Sequence, residues 1–191
     1  MGNDKASVKQ RTGDPVTDLG LDTITQDKQA IVFVNTKRSA EACSERIADA
    51  VEKHLPIAKR HRLSEAVTDV LSSPTSQCER LGKAVRSQAA FHHSGLHSEQ
   101  RSIVENAFKN GKIQVICATP TLAAGLDMPA YRVVIRDLKR YSGGWGMQPI
   151  PVLEYDQMSG RAGRPSYDDE GQAITIAESD QERDEIREKY I

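Results

Sequence analysis

Ala30-Ile31-Val32-Phe33-Val34 is a short unbroken apolar run, rich in β-branched side chains, and it stops at the polar pair Asn35-Thr36. Such a run predicts a strand buried on both faces, as in a parallel sheet. Asn35-Thr36 then offers a helix cap, and Ala40, Cys43, Ile47 and Val51 recur at helical spacing until Leu55-Pro56. The unit reads as strand, loop and helix.

The same unit repeats downstream. Ala89-Ala90-Phe91-His92 is a second strand running into the turn His93-Ser94-Gly95-Leu96. Ser98 is placed to cap a helix carrying Ile103, Val104, Ala107 and Phe108, which Gly111 closes. Ile113 to Ala118 is a third strand, followed by Thr119-Pro120-Thr121-Leu122-Ala123-Ala124-Gly125-Leu126-Asp127-Met128-Pro129. Pro120 sits where a helix can begin, and the small residues after it permit close backbone approach. Tyr131 to Ile135 and Gln172 to Ala177 are further strands, and Ser179 with Glu182 forms a capping box for a last charged helix. Between the first two strands, Leu63, Ala66, Val67, Val70 and Leu71, then Cys78, Leu81 and Val85, mark two inserted helices.

Alternating strands and helices predict an α/β fold: a three-layer sandwich with a mostly parallel sheet and helices on both faces. Ligands bind such sheets outside the carboxyl ends of the strands. The turns after the first three strands all fall at that edge. Residues 1–28 are polar and lack firm periodicity, so they are expected to be a flexible leading segment or linker, with the domain proper spanning 29–191.

Near the end of this pattern stands Glu154-Tyr155-Asp156-Gln157-Met158-Ser159-Gly160-Arg161-Ala162-Gly163-Arg164-Pro165. On a helix, Gln157, Arg161 and Arg164 fall at offsets of four and three and share one face. Two guanidiniums on one face suit bidentate contact with phosphate oxygens, and the helix is expected near the carboxyl edge of the sheet. A polar helix end with arginine in its last turn is the alternative.

Composition limits the choice. The formal net charge is −1, so a nucleic-acid contact must be a local patch; Lys37, Arg38, Arg101, Lys139 and Arg140 could form one. Cys43, Cys78 and Cys117 have no metal-ligand spacing and read as reduced, mostly buried thiols of a cytoplasmic protein. The five histidines show no zinc pattern, and no metal site is expected. No apolar run is long enough to cross a membrane, and no membrane partner is expected.

Taken in order, these stretches resemble the second RecA-like domain of a superfamily 2 helicase. Ile31 to Thr36 resembles motif IV, Phe91 to Leu96 motif IVa, Ala118 to Pro129 motif V, and Gln157 to Arg164 motif VI. The wording of Arg136 to Tyr141 and of Gln157 to Pro165 is closer to the Ski-like archaeal DNA repair helicases, relatives of the helicase region of polymerase theta. The resemblance implies a RecA-like fold acting in a 3′–5′ ATP-dependent DNA helicase of replication-fork repair. Arg161 and Arg164 would be arginine fingers, with Gln157 ordering the cleft. Gly125, Asp127 and Gly160 would lie beside the nucleotide. Thr36, Ser94, Gly95, Thr119 and Thr121 would hold backbone phosphates of the tracking strand. Tyr141 to Ile150 looks like a protruding β-hairpin, on which Tyr141, Trp145 and Met147 would separate strands.

The implied partners are single-stranded and forked DNA and a first RecA-like domain of the same protein, with this chain monomeric. Two other functions stay open: the equivalent domain of a Ski-like RNA helicase, and a non-catalytic nucleic-acid or protein interaction module. The sequence contains no Gly-x-x-x-x-Gly-Lys-[Ser/Thr] stretch and no Asp-Glu-x-His box. ATP and Mg2+ are therefore expected to be held with another domain of a longer protein, none being bound by this chain alone, and the chain by itself is expected to be inactive.

Overall fold

The computed structural model describes residues 7–125, 128–164, 168 and 170–191. Its core is a parallel sheet of β1 (Ala30–Phe33), β2 (Ala89–His92), β3 (Val115–Ala118), β4 (Arg132–Ile135) and β7 (Gln172–Thr175), in the order β2-β3-β1-β4-β7. The register is flush. Phe33 pairs with Ala118 and Ile135, and these with His92 and Thr175, so one row of residues forms the carboxyl edge. β1 to β4 are buried along their whole length, which is why apolar residues dominate them, with His92 closing β2 and Arg132 opening β4.

The helices are α1 (Pro15–Thr25), α2 (Lys37–His54), α3 (His61–Thr68), α4 (Ser76–Arg86), α5 (Ser98–Lys109), α6 (Thr121–Gly125), α7 (Val152–Ser159) and α8 (Asp180–Tyr190). The connection from β1 leads outward to β2, whereas those from β2, β3 and β4 lead back across the sheet. Right-handed crossovers therefore place α2 on one face and α5, α6 and α7 on the other. The RecA-like α/β architecture follows. β5 (Lys139–Tyr141) and β6 (Met147–Pro149) pair antiparallel as a separate hairpin, closed by a 3-10 turn at Gly143–Trp145.

Part of the leading segment is helical, against the expectation of a flexible entry. Pro15–Thr25 forms α1, with Asp14 as N-cap, Pro15 in the first turn, and Val16, Leu19, Leu21 and Ile24 buried. The helix is required by Arg132, which is buried at the amino end of β4. Its guanidinium donates to Leu19 O at 3.0 Å and Thr23 Oγ1 at 2.8 Å, and pairs with Asp22 at 2.9 Å. Without these partners on α1, a charge buried at this place would be left uncompensated, which is strongly destabilising. α1 reaches α2 closely at Gly20, where a Cβ would lie 3.3 Å from the Ile47 side chain.

Two smaller expectations shift. His97, not Ser98, caps α5, its ring accepting from Glu99 N while Gln100 closes a capping box. Ser179 does cap α8, but Glu182 bonds Glu178 N in place of the cap residue's own amide.

Candidate functional site

A cleft of about 400 Å³ lies along the carboxyl edge of the sheet. Thr36, Ser94, Thr119 and Thr121 all line it, joined by Lys37, Asp137, Arg140 and Glu154. Four of the five residues expected to hold a phosphate backbone therefore converge. The topology explains this, since flush parallel strands release their following loops at one level.

Each member also has a local duty. Thr36 caps α2, its Oγ1 accepting from Ser39 N at 3.0 Å. Thr119 and Thr121 share a hydroxyl hydrogen bond of 3.0 Å at the start of α6. Gly95 departs from expectation: its backbone N–H donates to His93 Nδ1 at 3.1 Å, so this amide is already engaged. His93 is buried, and its Nε2 meets a Glu41 carboxylate oxygen at 3.1 Å. With Nδ1 accepting, the ring is the neutral Nε2–H tautomer. Burial pushes its pKa below the ordinary value, with Glu41 opposing.

Residues that sequence reasoning missed complete the cleft. Asp137 accepts from Asn35 N at 2.9 Å and is gripped by Arg136, fixing the β1–α2 loop. Glu154, on the first turn of α7, binds Arg140 Nη1 at 2.7 Å. Of the candidate basic patch, Lys37 and Arg140 face this cleft, and Arg101 lines an adjoining hollow that also shares Ser94 and Thr121. Arg38 and Lys139 line neither. The apolar signal of Asp137 and Glu154 is nil, so periodicity had no means of marking them.

The arginine segment lies elsewhere. α7 ends at Ser159 with Gly160 as its C-cap, so Gln157 is on the helix and exposed while Arg161 and Arg164 follow it. The three do not share a helical face. Gly163 adopts φ +94, which ends helical geometry. The segment is zipped to the chain entering β4: Ala130 N donates to Arg161 O at 2.9 Å and Gly163 N to Ala130 O at 2.7 Å. Arg164 donates to Gln29 Oε1 at 2.6 Å, just ahead of β1. Both contacts lie at the amino edge of the sheet, opposite the cleft, whereas the start of α7 does lie at the carboxyl edge, where Glu154 lines the cleft.

Arg161 reaches back towards α6, its Nη2 donating to Ala123 O at 2.5 Å. α6 thus begins in the cleft at Thr121 and contacts the arginine segment two residues later. Gly125 is the last residue of α6; Asp127 and Pro165 lie outside the described residues. Among the described residues, no group of three His, Cys, Asp or Glu side chains is placed to hold a metal ion.

The hairpin projects from the domain with Tyr141, Trp145 and Met147 at 73%, 83% and 55% exposure. Trp145 is therefore not folded into the core.

Comparison with known proteins decides the family. The helicase conserved C-terminal domain family matches residues 66–166, more than half of the chain. This chain belongs to that family. It is 44% identical to the ATP-dependent DNA helicase Hel308 of Methanocella arvoryzae over 98% of its own length, and 43% and 44% identical to the Hel308 proteins of Pyrococcus horikoshii and Pyrococcus abyssi over 91% and 86%. It spans about a quarter of the length of these relatives, covering 26%, 24% and 22% of them. The helicase C-terminal domain thus matches the archaeal relatives over almost all of its length, the resemblance expected from motifs IV to VI.

Proposed function

We propose that this helicase C-terminal domain is the second motor domain of an ATP-dependent 3′–5′ DNA helicase acting in replication-fork repair. The observation that carries the reading is the convergence of Thr36, Ser94, Thr119 and Thr121 with Lys37 and Arg140 in one cleft at the carboxyl edge. Hydroxyls and cations suit a phosphodiester backbone, and sequence-independent grip is what a translocating motor needs. The relatives' names favour DNA over RNA, since phosphate contacts alone do not read the sugar.

Arg161 and Arg164 act on ATP presented by a first RecA-like domain. Two guanidiniums fit the charge of a triphosphate, while the absence of a Walker A stretch and of a metal-holding cluster in the described residues leaves Mg2+ to that other domain. ATP with its metal supplies the free energy of hydrolysis; this chain's arginines neutralise charge developing on the transferred phosphoryl group. Gln157, exposed on α7, faces outward where it can order the closed cleft. Gly125 and Gly160 allow close approach beside the nucleotide. α6, touching both the cleft at Thr121 and Arg161 through Ala123, is the route by which nucleotide state reaches the strand.

The test uses the full-length parent. Arg164→Ala should lower DNA-stimulated ATP hydrolysis by about 10³-fold or more and leave single-strand affinity intact. Thr36→Ala with Thr119→Ala should weaken single-strand affinity instead. Equal effects of both variants on both readouts would overturn the separation of roles, and an unchanged ATPase in Arg164→Ala would favour a non-catalytic interaction module.

A further inference from the structure

A second hollow, of about 460 Å³, opens at the opposite edge of the domain and is lined by Lys59, Arg60, His61, Arg62, Leu63, Ala66 and Lys112. Among the described residues, no acidic side chain lines it. On a chain whose formal net charge is −1, this is a strong local concentration of positive charge. Lys59 reaches Glu52 at 3.1 Å in an exposed pair, whereas Arg60, Arg62 and Lys112 join none of the ion pairs among the described residues.

Its position is fixed by backbone contacts. Arg60 N donates to Arg86 O at 2.9 Å, and Arg86 lies just ahead of β2. Lys112 lies just ahead of β3. The hollow is therefore at the amino ends of the strands, one strand length or roughly 13 Å beyond the level of the carboxyl-edge cleft.

Two further observations point to an anionic occupant. The Nε atoms of Arg60 and of neighbouring Arg86 are buried without a hydrogen-bond partner. Buried polar groups are normally satisfied, and each such orphan is destabilising until a partner arrives. α3 also begins at Arg60 with no side-chain cap, leaving its first-turn amides without a side-chain acceptor beside the same cations.

We propose that this groove is a second nucleic-acid site, which takes a phosphodiester backbone through charge and N–H donors alone. Four cations, Lys59, Arg60, Arg62 and Lys112, around one open hollow exceed what a single phosphate engages, and they match a polyanion. Among the described residues, no Phe, Tyr or Trp side chain lines the groove, so it carries no extended base-stacking platform and binding is independent of sequence. A strand held here is separate from the one in the carboxyl-edge cleft, so the groove retains nucleic acid on the far side of the domain.

Arg62 and Lys112 are exposed and unpaired, so Arg62→Ala with Lys112→Ala should fold normally, as an unchanged thermal midpoint will show. Binding of a fluorescein-labelled oligothymidylate to the 191-residue chain is then measured across a salt series. The double variant should bind about tenfold more weakly at low salt. Its slope of log K against log salt should flatten by about 1.4, given 0.7 per single-strand phosphate contact. Adding Thr36→Ala and Thr119→Ala should weaken binding further, because the two sites are distinct. Unchanged affinity and slope in the Arg62/Lys112 variant would overturn the proposal. So would loss of binding to an oligoglutamate peptide with oligothymidylate binding retained, which would assign the groove to an acidic protein.

Discussion

Arg164 and Asp168 form a bidentate ion pair, with Nε to Oδ2 at 2.6 Å and Nη2 to Oδ1 at 3.0 Å. Lys28 approaches the same carboxylate at 2.7 Å, and Asp168 is only 1% exposed. The Arg164 and Lys28 cations hold its pKa down to about 2, from an ordinary 3.8. A folded-state pKa below the unfolded one means that the unfolded chain binds more protons in acid. The pair's contribution is thus complete above about pH 4 and is lost as pH falls towards 2, amounting to about 2 kcal/mol. Asp168→Asn should therefore be less stable than the parent at pH 7, with the gap closing by pH 2 in denaturant titrations. A gap constant across that range would show that the pair contributes nothing through charge. The same contact has a functional corollary: on the proposed mechanism, Arg164 must exchange Asp168 and Gln29 for phosphate oxygens when the cleft closes.

Gly171 sets the position of the arginine segment. A Cβ added there would fall 2.3 Å from Gly163 N and 2.6 Å from Ala162 C, both backbone atoms that cannot swing aside. Gly171→Ala should destabilise the domain by about 1–3 kcal/mol, the range for overpacking. Gly144→Ala, in open space on the hairpin, is the control and should change stability little. Equal denaturation midpoints for the two variants would refute the steric argument.

The sheet was legible because strands buried on both faces are mostly apolar, and Ala30 to Val34 and Val115 to Ala118 state this without interruption. The cleft was legible for a related reason, since Thr36, Ser94 and Thr119 each follow such a run within a few residues. α1 was harder to read. Val16, Leu19, Leu21 and Ile24 give only a broken helical period, and the informative signal was the Asp14-Pro15 pair at its start. The arginine placement escaped for a different cause. Spacing of four and three describes a helix face only while the chain remains helical, and the C-cap at Gly160 with positive φ at Gly163 ends it first. Contacts such as Arg164 with Gln29 join residues far apart in the chain and have no local signature.

His93 makes the domain sensitive to mild acid. Its ring accepts from Gly95 and meets Glu41, stacks on Phe91 with centroids 5.6 Å apart, and has Lys37 and His92 nearby. Burial lowers its folded pKa below 6.5. An imidazole of that kind contributes stability that is complete above 6.5 and is lost as pH falls below it. Protonation at Nδ1 would also break the Gly95 bond beside Ser94. Denaturant midpoints should fall between pH 7.5 and 5.5, and less steeply in His93→Gln. Parallel pH profiles for the two proteins would remove His93 from the account.

Trp145 separates stability from strand opening. At 83% exposure on the 3-10 turn of the hairpin, it has almost no packing to lose, and Trp145→Ala should shift domain stability by no more than about 0.5 kcal/mol. An apolar side chain displayed in this way is otherwise a liability, and the wedge role that the helicase resemblance implies for it, against a terminal base pair, would give a reason for its exposure. In the full-length parent, Trp145→Ala should slow the unwinding of a forked duplex several-fold while single-strand-stimulated ATP hydrolysis stays at the parent's rate. A stable variant that unwinds the fork as fast as the parent would deny the hairpin its wedge role.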